Sequence, residues 1–192
     1  MRILIAYNPV SGRGVSEDAA VQMAAALEEV GHDVLVVATT PGPGAPWLSE
    51  HAEGTSLLMA CGGDGTLCAV APEAARHGIA LWHLPLGTEN LFAQAWSMSG
   101  DPAAVVAAVE AWQIKRLDLG VVDGPGMRRR NFLLMLSAGI DAHVVLDLAS
   151  SRRGRITRWS YARPLLRQLW RYPFKTDSDF GSTETDSDGT QN

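Results

Sequence analysis

The stretch of this sequence best suited to chemistry is a carboxylate framed by glycines, Cys61-Gly62-Gly63-Asp64-Gly65-Thr66. Before it, Ser56-Leu57-Leu58-Met59-Ala60 reads as a buried parallel strand. After it, the alanine-rich residues 67–76 read as a helix bent at Pro72, with Gly78 just past its end. Such a turn suits a polyphosphate carrying a metal ion. Glycines let the backbone approach phosphate oxygens, the helix start offers unpaired N–H groups, and Asp64 can order a cation or its water shell. The same residues would equally make a tight turn with a surface Asp, so the motif needs support from the rest of the chain.

Two further stretches supply it. Asn8-Pro9-Val10-Ser11-Gly12-Arg13-Gly14 follows an apolar run at 3–7, and Pro85-Leu86-Gly87-Thr88-Glu89-Asn90 follows another at 79–84. Taken alone, the first is a turn with a helix cap and the second a loop with a capping Thr. The elements around them alternate. Strand 3–7 leads to a helix that Ser16 can cap, with Glu17 and Asp18 in its first turn and Gly31 closing it. Strand 34–38 runs into Thr39-Thr40 and a Pro-Gly loop, and a short helix from Pro46 leads to strand 56–60. After strand 79–84 a helix reaches Trp96, and Asp101-Pro102 starts another that runs to about residue 112. This order predicts an α/β, Rossmann-like parallel sheet with helices on both faces. Ligands of such sheets sit beyond the carboxyl ends of the strands, where all three polar loops fall.

Composition sets the bounds. With 192 residues, 46% of them hydrophobic, the chain can bury one good core. Its net charge of −5 is concentrated at one end: Asp177, Asp179, Glu184, Asp186 and Asp188 fall in residues 176–192, which carry no basic residue. Half of the 16 basic residues fall in 152–175, without an acid among them. Cys61 and Cys68 are the only cysteines and read as buried free thiols in a reducing, cytoplasmic compartment. No signal peptide is visible and no apolar run approaches ~20 residues, so no membrane span is expected.

At this point the sequence resembles the diacylglycerol kinase catalytic domain family, which includes bacterial lipid kinases and sphingosine and ceramide kinases. Asn8-Pro9-Val10-Ser11-Gly12, Gly62-Gly63-Asp64-Gly65-Thr66 and Pro85-Leu86-Gly87-Thr88-x-Asn90 match its three N-terminal motifs in order. Arg116-Leu117-Asp118-Leu119-Gly120, and Asn131-Phe132 leading to Ser137-Ala138-Gly139-Ile140-Asp141-Ala142, look like the entry to its second domain. The resemblance implies ATP as phosphoryl donor, Mg²⁺, and a lipid hydroxyl of the diacylglycerol or sphingoid class as acceptor. It puts nucleotide contacts on Asn8 to Gly12, Thr39, Gly62 to Ala69 (Leu67 included), Gly87, Thr88 and Asn90. Asp64 and Asp118 would form a carboxylate network, with Asp64 holding Mg²⁺ directly or through water. Phosphoryl transfer is mostly positioning and charge neutralisation, which such groups supply.

The departures matter too. Leu91 stands where many bacterial members have Asp, and Gln94 where Arg is usual. The family's second domain is a β-sandwich that supplies the catalytic base from far downstream. Here only strands 117–122 and 132–137, joined around Asp123-Gly124-Pro125-Gly126, and a helix over 141–149 are expected, and two strands make no sandwich. The expected organisation is therefore a nucleotide-binding domain over 1–116, an incomplete β-rich domain over 117–175 and a disordered acidic tail over 176–192. No base is assignable, which predicts poor turnover.

The segment 152–175 interleaves Trp159, Tyr161, Trp170, Tyr172 and Phe174 with arginines, and Arg163, Arg167 and Arg171 share a helix face. It reads either as a stripe packing on a sandwich or as a peripheral contact with the inner face of an anionic membrane, where the lipid substrate lies. Nucleic acid is not an expected partner, because the rest of the surface is not basic. Uncovered apolar surface would favour self-association. An NAD kinase-type soluble kinase, sharing Gly-Gly-Asp-Gly, and a nucleotide-binding module without turnover are the alternatives.

Overall fold

Alternation along two central strands builds the fold. In β1 (Arg2–Tyr7) and β3 (Thr55–Gly62) nearly every residue between the ends is buried, which requires cover on both faces. Ile3, Ile5, Leu57, Met59 and Cys61 belong to one core cluster; Leu4, Ala6, Leu58 and Ala60 belong to the other. This is the period of two that a pleated strand imposes. The computed structural model describes residues 1–40, 45–124 and 127–136.

The edge strands β2 (Asp33–Ala38) and β4 (Ala80–Pro85) complete a parallel sheet of order β2-β1-β3-β4. On one face α1 (Ser16–Glu29) and α4 (Pro102–Ala111) contribute Ala20, Met23, Leu27, Val105 and Val109. On the other, α2 (Asp64–His77), the 3-10 turn Pro46–His51 and α3 (Leu91–Ala95) contribute Leu67, Val70, Leu48 and Phe92. The expected α/β, Rossmann-like architecture is what forms. From β1 the chain crosses to β2 on one side and returns as β3 on the other, so the loops after β1 and β3 diverge. That divergence opens a crevice at the carboxyl edge.

Local signals held where they were self-contained. Asp101 caps α4, its Oδ2 accepting the Ala104 N–H at 3.0 Å. Gly78 ends α2 in the left-handed region at φ 68°, and Ile79 N–H bonds the Ala74 carbonyl at 2.9 Å. α2 runs through Pro72 but begins at Asp64, not at Leu67. The glycine stretch is therefore a strand end and a first helical turn, with only Gly63 between them.

Two expectations fail. Ser16 does not cap α1: it is the first helical residue, wholly buried, and its Oγ donates to the Asn8 carbonyl at 2.6 Å. The 3-10 turn Ser11–Gly14 folds the chain back beneath that carbonyl and takes the hydroxyl away from the helix end. The expected strand 132–137 is replaced by β6 (Met127–Phe132), paired antiparallel with β5 (Gly120–Gly124). Leu133 and Leu134 pack instead against the second core cluster, where burial rewards them more than an exposed ladder would. The Ser137-to-Ala142 motif, the helix over 141–149, the basic segment 152–175 and the tail 176–192 lie outside the described residues. Among the described residues no helix is long and apolar enough to cross a membrane.

Candidate functional site

The last rungs of the sheet bring the predicted loops together. Beyond the strands, Asn8 N–H donates to the Cys61 carbonyl at 3.0 Å, Leu86 N–H to Gly62 at 2.8 Å and Thr39 N–H to Tyr7 at 2.8 Å. Asn8 joins the two diverging loops. Its Nδ2 donates to Thr66 Oγ1 at 3.1 Å, its Oδ1 accepts the Val10 N–H at 3.2 Å, and its carbonyl accepts Ser11 N–H at 2.9 Å as well as Ser16 Oγ.

The glycines divide by purpose. A Cβ on Gly62 would stand 2.5 Å from Thr66 Oγ1, and one on Gly87 would stand 2.6 Å from the Gly63 Cα. Gly63 and Gly87 are needed because loop meets loop, and Gly62 because the Thr66 side chain of the next helical turn folds over it. A Cβ on Gly65 would meet nothing within 4 Å, and its backbone is not in the left-handed region. Packing and backbone therefore leave Gly65 unexplained, and it opens on a cleft. The N–H groups of Gly63, Asp64 and Gly65 have no acceptor among the described residues, as at any helix start.

Asp64 is already engaged. Its Oδ2 accepts Leu91 N–H at 3.0 Å and its Oδ1 accepts Phe92 N–H at 3.1 Å, so this carboxylate, just after β3, caps α3, just after β4. Each oxygen keeps one acceptor site. Asn90, at φ 51°, closes its own loop: Oδ1 accepts Gly87 N–H at 2.8 Å and Nδ2 donates to the Gly87 carbonyl at 2.9 Å. Thr88 is exposed, Leu67 is buried in the core, and Asp118 is exposed in the connector between α4 and β5. Among the described residues no cluster of three or more His, Cys, Asp or Glu could hold a metal ion.

The cleft itself measures about 340 Å³, within the range of small-molecule sites. Its lining combines polar groups from Asn8, Thr39, Thr40 and Thr66 and the Gly65 backbone with the apolar side chains of Pro9, Val10, Ala45, Trp47, Ala69 and Val70. Of the predicted residues, Asn8, Pro9, Val10, Thr39, Gly65, Thr66 and Ala69 line it; Ser11, Gly12, Gly62, Gly63, Asp64, Leu67, Gly87, Thr88 and Asn90 do not. Trp47, Thr40, Ala45 and Val70 were missed. The Trp in a Pro-started turn after strand 34–38 was the one available signal. Both cysteines are free; burial pushes the Cys61 thiol up to about 11, so it is inert at neutral pH.

Comparison with known proteins fits this geometry. The chain is 38% identical over 127 residues to a probable lipid kinase YegS-like protein of Pseudomonas aeruginosa, covering 64% of this chain and 40% of that one. It is 28% identical to the diacylglycerol kinase of Mycobacterium tuberculosis, covering 93% and 63%, and 27% identical to that of Bacillus subtilis, covering 83% and 53%. The chain thus spans roughly half the length of these relatives. The model of the diacylglycerol kinase catalytic domain matches residues 2–122, the whole parallel sheet with its helices and the first three residues of β5. By that match the chain belongs to the diacylglycerol kinase catalytic domain family.

Proposed function

We propose that the strand-end cleft binds Mg-ATP and that the chain forms the nucleotide-binding part of a lipid kinase acting on a diacylglycerol- or sphingoid-type hydroxyl at a membrane surface. Gly65 carries the reading. A glycine that neither packing nor backbone requires, in the first turn of a helix and beside unspent N–H groups, suits a close phosphate. The apolar lining that includes Trp47 suits a base, and Asn8, Thr39 and Thr66 suit the polar remainder.

When bound, Mg-ATP supplies the phosphoryl group and most of the charge neutralisation. The chain's residues position and enclose it. Asp64 fits a hydrated cation brought in with the phosphates, because each oxygen has one acceptor site left. The lining of the cleft contains no titratable side chain among the described residues, so no base for the acceptor hydroxyl is assigned there.

The substitution Gly65→Leu fills the cleft while improving helix propensity by about 0.8 kcal/mol. Calorimetry with Mg-ATP should show affinity weakened at least ~10-fold, about 1.4 kcal/mol, with an unchanged or higher Tm. Equal affinity would remove the cleft from the nucleotide site. Labelled ATP with diacylglycerol and sphingosine micelles separates turnover from binding alone.

A further inference from the structure

We propose that His83 is a positioning residue that sets the Gly62–Gly63 peptide for phosphate contact. The inference rests on the nucleotide reading above and concerns a residue outside all three loops. His83 lies in β4 and is wholly buried. Its Nε2 sits 3.1 Å from the Gly62 carbonyl. A carbonyl only accepts, so Nε2 carries the proton and Nδ1 is left with a bare lone pair. That Nδ1 is buried and has no partner among the described residues. An unmet buried group costs stability, which asks for a compensating role.

The role follows from peptide geometry. The Gly62 carbonyl accepts both His83 Nε2–H and Leu86 N–H, which uses both its lone pairs. The described peptides are trans, so holding that carbonyl toward the imidazole turns the Gly63 N–H the opposite way. This N–H has no acceptor among the described residues, and it stands at the cap of α2, where the helix favours an anion. The same ring packs on Phe92 with centroids 6.4 Å apart, and the Phe92 N–H is one of the two held by Asp64. One side chain therefore touches both the strand end and the helix that Asp64 caps.

The test compares His83→Leu, which keeps volume but loses the donor, with His83→Gln, whose Nε2 can reach the same carbonyl. Calorimetry with Mg-ATP and with inorganic tripolyphosphate is run beside ¹⁵N NMR of the full chain. In the native protein the ring nitrogens should report the neutral Nε2–H tautomer. In His83→Leu the Gly63 amide resonance should move and both affinities fall ~10-fold, with Tm within a few degrees. His83→Gln should restore resonance and affinity, which a merely structural role would not do. Should the Leu variant fail to fold, His83→Asn, too short to reach the carbonyl, takes its place. A Gly63 resonance unmoved in His83→Leu, or a Gln variant no better than Leu, overturns the inference. If the native chain binds neither probe, the nucleotide reading falls, and the Gly63 resonance alone still decides the role of His83.

Discussion

At its N-terminal end α2 meets the sheet edge through backbone and small residues: Gly63 lies against Gly87, and Asp64 reaches across to cap α3. At its C-terminal end it meets the 3-10 turn Pro46–His51 through charged side chains. Ser49 Oγ donates to Glu73 Oε1 at 2.6 Å and accepts from Arg76 at 3.0 Å, while His77 Nε2 lies 3.3 Å from the same carboxylate oxygen. The Ser49 hydroxyl, with Arg76 and His77, holds the Glu73 carboxyl below its usual range. Long side chains can rearrange when a neighbour changes, and exposed ion pairs contribute little. Backbone held against backbone cannot rearrange. The helix is thus rigid where it serves the cleft and tolerant where it only anchors.

The contrast breaks most readily at Gly87. A Cβ there would stand 2.6 Å from the Gly63 Cα, so Gly87→Ala should cost about 3 kcal/mol, lowering Tm by roughly 10 °C or more and abolishing nucleotide binding. A Tm within ~2 °C of the native value would show that the two loops yield easily.

Asp64 offers a middle effect. Asp64→Ala strands the Leu91 and Phe92 N–H groups and should cost about 1–2 kcal/mol in urea unfolding, with Asp64→Asn intermediate because one oxygen remains. Unchanged stability would mean that the carboxylate serves a ligand and not the helix.

The smallest effect belongs to the other end. Glu73→Ala should cost no more than about 1 kcal/mol at neutral pH. Because the folded-state pKa of Glu73 is lowered, its contribution is present above the unfolded value near 4.5 and disappears as pH falls through the folded value. The native and variant stability curves should therefore converge in acid. A larger loss, or a gap persisting in acid, would erase the distinction between the two ends.

How much of this was legible depends on the range of the cause. Buried strands announce themselves as apolar runs, and Asp101-Pro102 sets its own helix start, so the sheet, its layers and the meeting of three loops could be read directly. The partner of Ser16 is a carbonyl eight residues back, reached only after a 3-10 turn has formed. The amides held by Asp64 lie 27 and 28 residues ahead, and no motif encodes them. Met127–Phe132 looks too polar for a strand, and Leu133 and Leu134 look ideal for one, until the first sheet is present to bury the leucines. Gly63 and Gly65 are alike in sequence; only the position of Gly87 tells packing from access.

The placement of β1 between β2 and β3 has a consequence for synthesis. At ~5–20 residues per second, β1 emerges first and can pair with β2, but its other edge stays open until Thr55–Gly62 has followed. During that interval Ile3-Leu4-Ile5 presents a bare hydrophobic edge of the kind that recruits foreign strands. Asp64 then waits for Leu91 and Phe92 before α3 is capped. The carboxyl edge is thus among the last parts of the sheet unit to mature: a nascent chain stalled before residue 55 would expose an aggregation-prone strand, and one stalled before residue 92 would leave Asp64 without the amides it caps.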